Sequence, residues 1–201
     1  MSFRTEARQY GVALRAMLVI TVVLGVGYTA VITGIGQLLL PAQANGSLVS
    51  INGRAAGSSL LGQSFTDKDG RALPEWFQSR PSAAGDGYDT TASSGSNLGP
   101  ENADLVKAIN QRRAAIAESD GVSVQQIPAD AVTASASGLD PHISPAYAEL
   151  QVERVARAQN LPLREVRSLV AANTSGRDFG YLGEPTVNVL RLNLALAQLK
   201  G

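Results

Sequence analysis

The 201 residues contain no cysteine and a single histidine. The first absence excludes disulfides, thiolate metal sites, a cysteine nucleophile and a lipid-modified cysteine anchor. The second leaves a zinc site short of its usual three or four His, Cys or carboxylate ligands. No Gly-x-Ser-x-Gly elbow is present to expose a hydrolase serine. No clustered basic face is present either, so nucleic acid is not an expected partner. One further absence organises the chain. Between Arg15 and Arg54 there is no Asp, Glu, Lys, Arg or His, a gap of 38 residues.

Within that gap, residues 16–36 are uncharged and mostly apolar. At about 1.5 Å per residue a helix of this length reaches roughly 31 Å, the thickness of a bilayer's hydrocarbon core. A single span in lipid can satisfy its backbone only as a helix. Ala42-Gln43-Ala44 resembles a small-residue cleavage site, but a signal peptide's apolar core runs only about 7–15 residues. An uncleaved anchor over 16–40 is therefore expected, after a short tail over 1–15. The tail carries Arg4, Arg8 and Arg15 against Glu6, whereas no Lys or Arg follows the helix until Arg54. Positive charge stays in the cytoplasm. The N-terminus is thus expected inside the cell (inner) membrane and the bulk of the chain outside. Gly25, Thr29, Thr33 and Gly36 form a stripe of small residues, the kind of face that lets another helix approach closely.

A linker over 41–47 leads to an expected α+β domain over 48–201. Leu48-Val49-Ser50-Ile51 alternates as a strand, Asn52-Gly53 is a hairpin turn, and 57–65 is expected to return as the second strand. The Ser-, Gly-, Pro- and Asp-rich stretch 80–100 must be loop; a loop of about twenty residues in a compact domain is more often functional than idle. A helix is predicted over 100–117, with Gly121 closing it, and a short β-like stretch over 130–137. Ser144 and Pro145 are an N-cap and first-turn pair for a helix to 160, with Glu153 and Arg157 paired on its outer face. Another helix begins at Pro162, with Leu163, Val166, Leu169 and Val170 inward. Residues 187–196 read as strand running into helix.

No catalytic set and no metal site emerges. His142 sits in Asp140-Pro141-His142-Ile143-Ser144-Pro145, where two prolines stiffen a turn and a local bond from the histidine is expected to cap it. Asp89, Asp140 and Glu184 are isolated acids. Ser93-Ser94-Gly95-Ser96-Asn97-Leu98-Gly99 could cradle an anion but lacks the Gly-Lys-Ser/Thr ending of a phosphate loop. Trp76-Phe77 reads as core.

Several segments together resemble the C subunit of the Kdp potassium-transporting ATPase, in order and over nearly the whole chain. They include Gln43-Ala44-Asn45-Gly46-Ser47-Leu48, Arg80-Pro81-Ser82-Ala83, Tyr88-Asp89, Gly95-Ser96-Asn97-Leu98-Gly99-Pro100, Leu182-Gly183-Glu184-Pro185 and Leu192-Asn193-Leu194-Ala195-Leu196. The most specific is Ser137-Gly138-Leu139-Asp140-Pro141-His142-Ile143-Ser144-Pro145-Ala146. There are departures: the family often has glycine where Ser94 and Ala136 stand, arginine at Thr186, and proline at Thr29. Without that proline the membrane helix keeps a backbone hydrogen bond and is expected to run straight.

The resemblance implies an accessory, non-catalytic subunit without a cofactor of its own. It would work beside a channel-like subunit that selects potassium and a P-type ATPase subunit that hydrolyses ATP. Family members are described as catalytic chaperones that raise the ATPase's nucleotide affinity, and Gln63 is the residue implied for nucleotide contact. The expected topology argues against that contact, because ATP is cytoplasmic. The alternative expectation is docking on the outer mouth of the channel-like subunit. It would use Arg80, Pro81, Ser82, Ser96 and Asn97 in the long loop, Asp140, Pro141 and His142 in the stiff turn, and Glu184. A different class, a free-standing anchored enzyme or solute-binding protein, would leave detergent alone and keep activity.

Overall fold

Lipid-soluble side chains in an unbroken run leave the backbone to bond to itself. In the computed structural model, which describes residues 3–51 and 53–199 and side chains from residue 7 onward, that run is helical. Asn52 of the expected hairpin turn and the side chain of Arg4 lie outside the described residues. Helix α1 (Phe3–Ile20) passes through a π-helical stretch, Thr21–Tyr28, into α2 (Thr29–Leu39). Residues Ala7–Leu39 form one helix long and apolar enough to cross a membrane. The helix is not α-helical throughout: Thr21–Tyr28 has the wider i→i+5 turn. β-branched Thr21, Val22 and Val23 crowd a tight turn, while Gly25 and Gly27 permit the change. Leu40 has left the helix, with φ −135° and ψ 52°, because the residue before a proline is pushed out of the α region. Pro41 then opens one helical turn, α3 (Pro41–Ala44). Its end is tied back: Asn45 Nδ2 donates to Pro41 O at 2.7 Å and to Gln37 Oε1 at 3.0 Å.

The chain divides into two compact units, one ending at Leu48 and the other beginning at Val49. The second is α+β. Strand β1 (Leu48–Ile51) pairs with β2 (Arg54–Ser58). The return strand, Arg54–Ser58, lies earlier than the expected 57–65, and Leu61 N already bonds Ser58 O in a turn at 3.2 Å. Helix α4 (Ala103–Asp120) starts three residues later than Pro100 because Asn102 is the cap: its Oδ1 accepts from Asp104 N and Leu105 N. Gly121 ends it in the left-handed region.

The expected β-like stretch over 130–137 is not a strand. It holds a 3₁₀ turn, Ala129–Ala131, and Asp130 accepts from Ser144 N at 2.7 Å and Ser144 Oγ at 2.9 Å. A carboxylate that bonds local backbone gives the chain an alternative to a ladder. Ser144 in turn caps α5 (Pro145–Gln159), accepting from Tyr147 N at 3.0 Å. Short strands β3 (His142–Ile143), β4 (Thr174–Ser175) and β5 (Thr186–Asn188) make an antiparallel sheet in the order β3-β5-β4, with Ile143 opposite Val187. β5 runs directly into α7 (Val189–Gln198).

Val152 and Val155 of α5, Val166 and Val170 of α6 (Leu163–Ala172), Val187, and Leu192 and Leu196 of α7 form the core with Phe77. Leu163, expected inward, is 39% exposed, lying at the first position of α6 before its buried stripe begins. Among the described residues no ion pair joins Glu153 to Arg157; Arg167 of α6 pairs instead with Glu149 of α5 at 2.6 Å.

Segment 73–78 has no ladder, so its backbone polar groups need partners elsewhere. Buried side chains supply them. Arg154 donates to Pro74 O and Trp76 O at 2.8 and 3.0 Å, and Gln159 Nε2 to Glu75 O at 2.7 Å. Asn193 brackets Phe77, accepting from its N–H and donating to its carbonyl, both at 2.9 Å. Gln151 does the same for Gln78, at 2.6 and 3.3 Å. An amide side chain carries one acceptor and two donors, so it can replace a neighbouring strand. This clamp seats Phe77, which is fully buried.

Candidate functional site

Three segments far apart in sequence meet at Asp140. One oxygen of its carboxylate accepts from Arg80 Nη1 at 3.1 Å. The other accepts the backbone N–H of His142 at 3.0 Å and lies 3.3 Å from His142 Nδ1. Burial alone would raise this carboxyl's pKa. The side-chain and backbone hydrogen bonds of His142 and the charge of Arg80 outweigh that and hold it below its ordinary value. Arg80 Nη2 also reaches Thr133 O at 3.5 Å, while its buried Nε has no hydrogen-bond partner among the described residues.

The long loop is stitched down beside this pair. Ser82 Oγ donates to Gly138 O at 2.6 Å and accepts from Ala84 N and Tyr88 N. Tyr88 OH donates to Arg80 O at 2.7 Å, and burial pushes its phenol up to about 12, against an opposing hydrogen bond with Ser79. Ser94 N and Ser93 Oγ both donate to Ser137 O at 3.0 Å. From the third segment, Gly62 N donates to Leu139 O at 2.8 Å.

Two glycines let the segments approach so closely. A Cβ on Gly62 would stand 2.3 Å from Tyr88 Cε1 and 2.7 Å from Asp140 O; one on Gly138, at φ +68°, would stand 2.6 Å from Ser94 O. Both are closer than side-chain carbon can come.

The structure therefore brings Arg80, Ser82, Asp140 and His142 into one cluster. Pro81 is half-buried next to it, and Pro141 is buried, its carbonyl accepting Val189 N at 3.0 Å. Ser96 and Asn97 are exposed further along the loop, Asn97 at φ +51°. Glu184 is not in this hydrogen-bonded cluster; it pairs with Arg177 at 2.6 Å in a separate hairpin. Gln63 is half-buried, and its Nε2 donates to Ala56 O at 3.1 Å and lies against Gly57. In the first unit, Gly25 lies in the π-helical stretch and Thr29, Thr33 and Gly36 in α2. Gly36 faces Ala44 of its own chain.

Tyr88 and Gly62 escaped the sequence-level search for site residues. Glycines at 85 and 87, both at positive φ, mark the tight turn that aims Tyr88 back at Arg80, but nothing local announces its target. Between 64–72, 78–88 and α4 a cleft of about 650 Å³ borders the cluster, with Arg80, Arg112, Tyr88 and Tyr147 in its wall. Among the described residues no group of three His, Cys, Asp or Glu could hold a metal. His142 Nδ1 faces the Asp140 carboxylate, which also accepts its backbone N–H.

Comparison with known proteins gives the following. A family model described as "KdpC: K+-transporting ATPase, c chain" matches residues 10–198. A potassium-transporting ATPase KdpC subunit of Kineococcus radiotolerans is 52% identical over 189 residues, covering 94% of this chain and 93% of the relative. That of Gemmatimonas aurantiaca is 54% identical over 191 residues, 92% of each. That of Mycobacterium tuberculosis is 48% identical over 193 residues, 96% of this chain and 99% of the relative.

Proposed function

The chain belongs to the KdpC family of potassium-transporting ATPase subunits, and from that membership we propose that it is an accessory, non-catalytic subunit whose outer domain docks on the channel-like subunit. The helix Ala7–Leu39 anchors it in the cell membrane. Arg4, Arg8 and Arg15, on the N-terminal side of the uncharged stretch 16–36, hold the N-terminus in the cytoplasm and leave Val49 onward outside.

The observation that supports docking is the Arg80–Asp140–His142 cluster. Three polar segments with no catalytic set are locked into one rigid surface. Rigid loops bind with little ordering cost. In this reading potassium and ATP are handled by the partner subunits, and this chain has no cofactor. Any gain in the ATPase's nucleotide affinity passes through the assembly. The Gln63 amide, bonded to Ala56 O, is poorly placed to meet a nucleotide.

Deleting residues 49–201 while keeping the helix is expected to abolish assembly or potassium uptake. Normal uptake by the truncated chain overturns the proposal. Photolabelling with a nucleotide analogue on sealed, oriented vesicles separates the two routes. Labelling of this chain from the cytoplasmic side supports direct contact with ATP instead.

A further inference from the structure

Residues 177–184 make a hairpin that holds its aromatic side chains away from its own domain. Asp178 and Leu182 exchange both backbone hydrogen bonds, each 2.9 Å, and Tyr181 N reaches Asp178 O at 3.2 Å. Arg177 Nη2 closes the base on Glu184 Oε2 at 2.6 Å. At the tip Phe179 takes φ +52° and Gly180 φ +82°. Phe179 is 88% exposed and Tyr181 71%. A left-handed phenylalanine is disfavoured, and a ring left in water forgoes the burial that usually stabilises it. Here a tightly bonded turn maintains both conditions.

We propose that this hairpin is a docking knuckle that inserts Phe179 and Tyr181 into an apolar pocket on a membrane-embedded partner subunit of the same complex. The inference rests on the subunit role proposed above. Three features favour that occupant. Aromatic rings and arginine are the side chains that most often dominate binding energy. The two rings can bury about 300–500 Å² between them, well short of the ~800 Å² per partner of a stable interface. The knuckle is therefore too small to hold a soluble protein or a second copy unaided. It suits a partner already confined beside it, as a helix anchored in the same bilayer would ensure. Finally, the hairpin carries Asp178 and Glu184 against one arginine, the wrong balance for an anionic lipid surface.

A photoreactive benzophenone amino acid at position 179 of the full chain, in membranes carrying the whole complex, should give a light-dependent adduct with a partner subunit. Adducts with lipid only, with a second copy only, or none overturn the knuckle. The unsubstituted tagged chain, purified from the same detergent extract, separates this from the broader reading. If it recovers the partner subunits while position 179 makes no adduct with them, the knuckle alone falls. If it recovers none, the subunit role falls as well. The double variant Phe179→Ser, Tyr181→Ser should retain partner subunits roughly tenfold less well with an unchanged unfolding midpoint; undiminished retention overturns the proposal.

Discussion

Arg154 of α5 donates through Nε to Asp120 at the end of α4 at 2.7 Å, with the two side chains only 6% and 4% exposed. The remaining guanidinium nitrogens reach Gln151 Oε1 and the carbonyls of segment 73–78. A buried charge satisfied on every side is hard to replace piecemeal.

Arg154→Met should therefore destabilise the chain by about 3–5 kcal/mol, the usual cost of leaving one partner of a buried pair unmatched. Denaturant unfolding of the detergent-solubilised chain measures it, with near-ultraviolet circular dichroism reporting loss of the Trp76 and Phe77 environment. A loss below 1 kcal/mol would contradict the clamp.

Gly62→Ala should cost about 1–3 kcal/mol, the range for forcing extra carbon into packed space, because the new methyl meets the Tyr88 ring and the Asp140 carbonyl. Combining it with Tyr88→Ala should recover part of the ring clash but none of the backbone one. A double-mutant cycle on the unfolding midpoints separates the two.

The Asp140 carboxyl is held below its ordinary 3.8 in the folded chain. Its contribution is present above 3.8, fades as pH falls below that value and is gone once pH passes the folded value. Asp140→Asn should flatten this part of the acid limb of stability against pH. At the other end, the Tyr88 phenol is raised from 10.0 to about 12. Its contribution is present below pH 10 and is lost as pH rises towards 12, a loss that Tyr88→Phe should remove. Unfolding titrations of the three proteins across pH provide the check; superimposable curves would refute both assignments.

Val23→Arg places a cation midway along the helix Ala7–Leu39. An arginine at a span's centre disfavours insertion by about 2.5–3.5 kcal/mol, so the share of chain resisting alkaline extraction from membranes should fall sharply. An unaltered share would show that this segment is not in lipid.

What the sequence made legible was local. Asn102 and Ser144 cap helices whose apolar spacing was already visible, although Pro100 drew the first start three residues early. Stretch 80–100 was readable as a loop, because its glycines and serines advertise turns. Which backbone it is sewn to was not readable: Ser82 meets Gly138 and Ser94 meets Ser137 across more than forty residues. Asp130 looked compatible with a strand because nothing adjacent reveals that its carboxylate holds Ser144. The buried amides Gln151 and Asn193 sit among apolar neighbours in sequence, and only the distant segment 73–78 explains them. The π-helical stretch was not readable, since β-branched residues and glycines are equally ordinary in a regular membrane helix.

Asn193 fastens Phe77 from 116 positions downstream, and Asn188 donates to Ser59 O from 129 positions downstream. Such closures cannot form until Asn188 and α7 have left the ribosome. A nascent or stalled product ending before α7 would lack the latch on its own earliest segments. In such a product the segment around Phe77 would be held less firmly and should be cut by protease sooner than in the finished molecule.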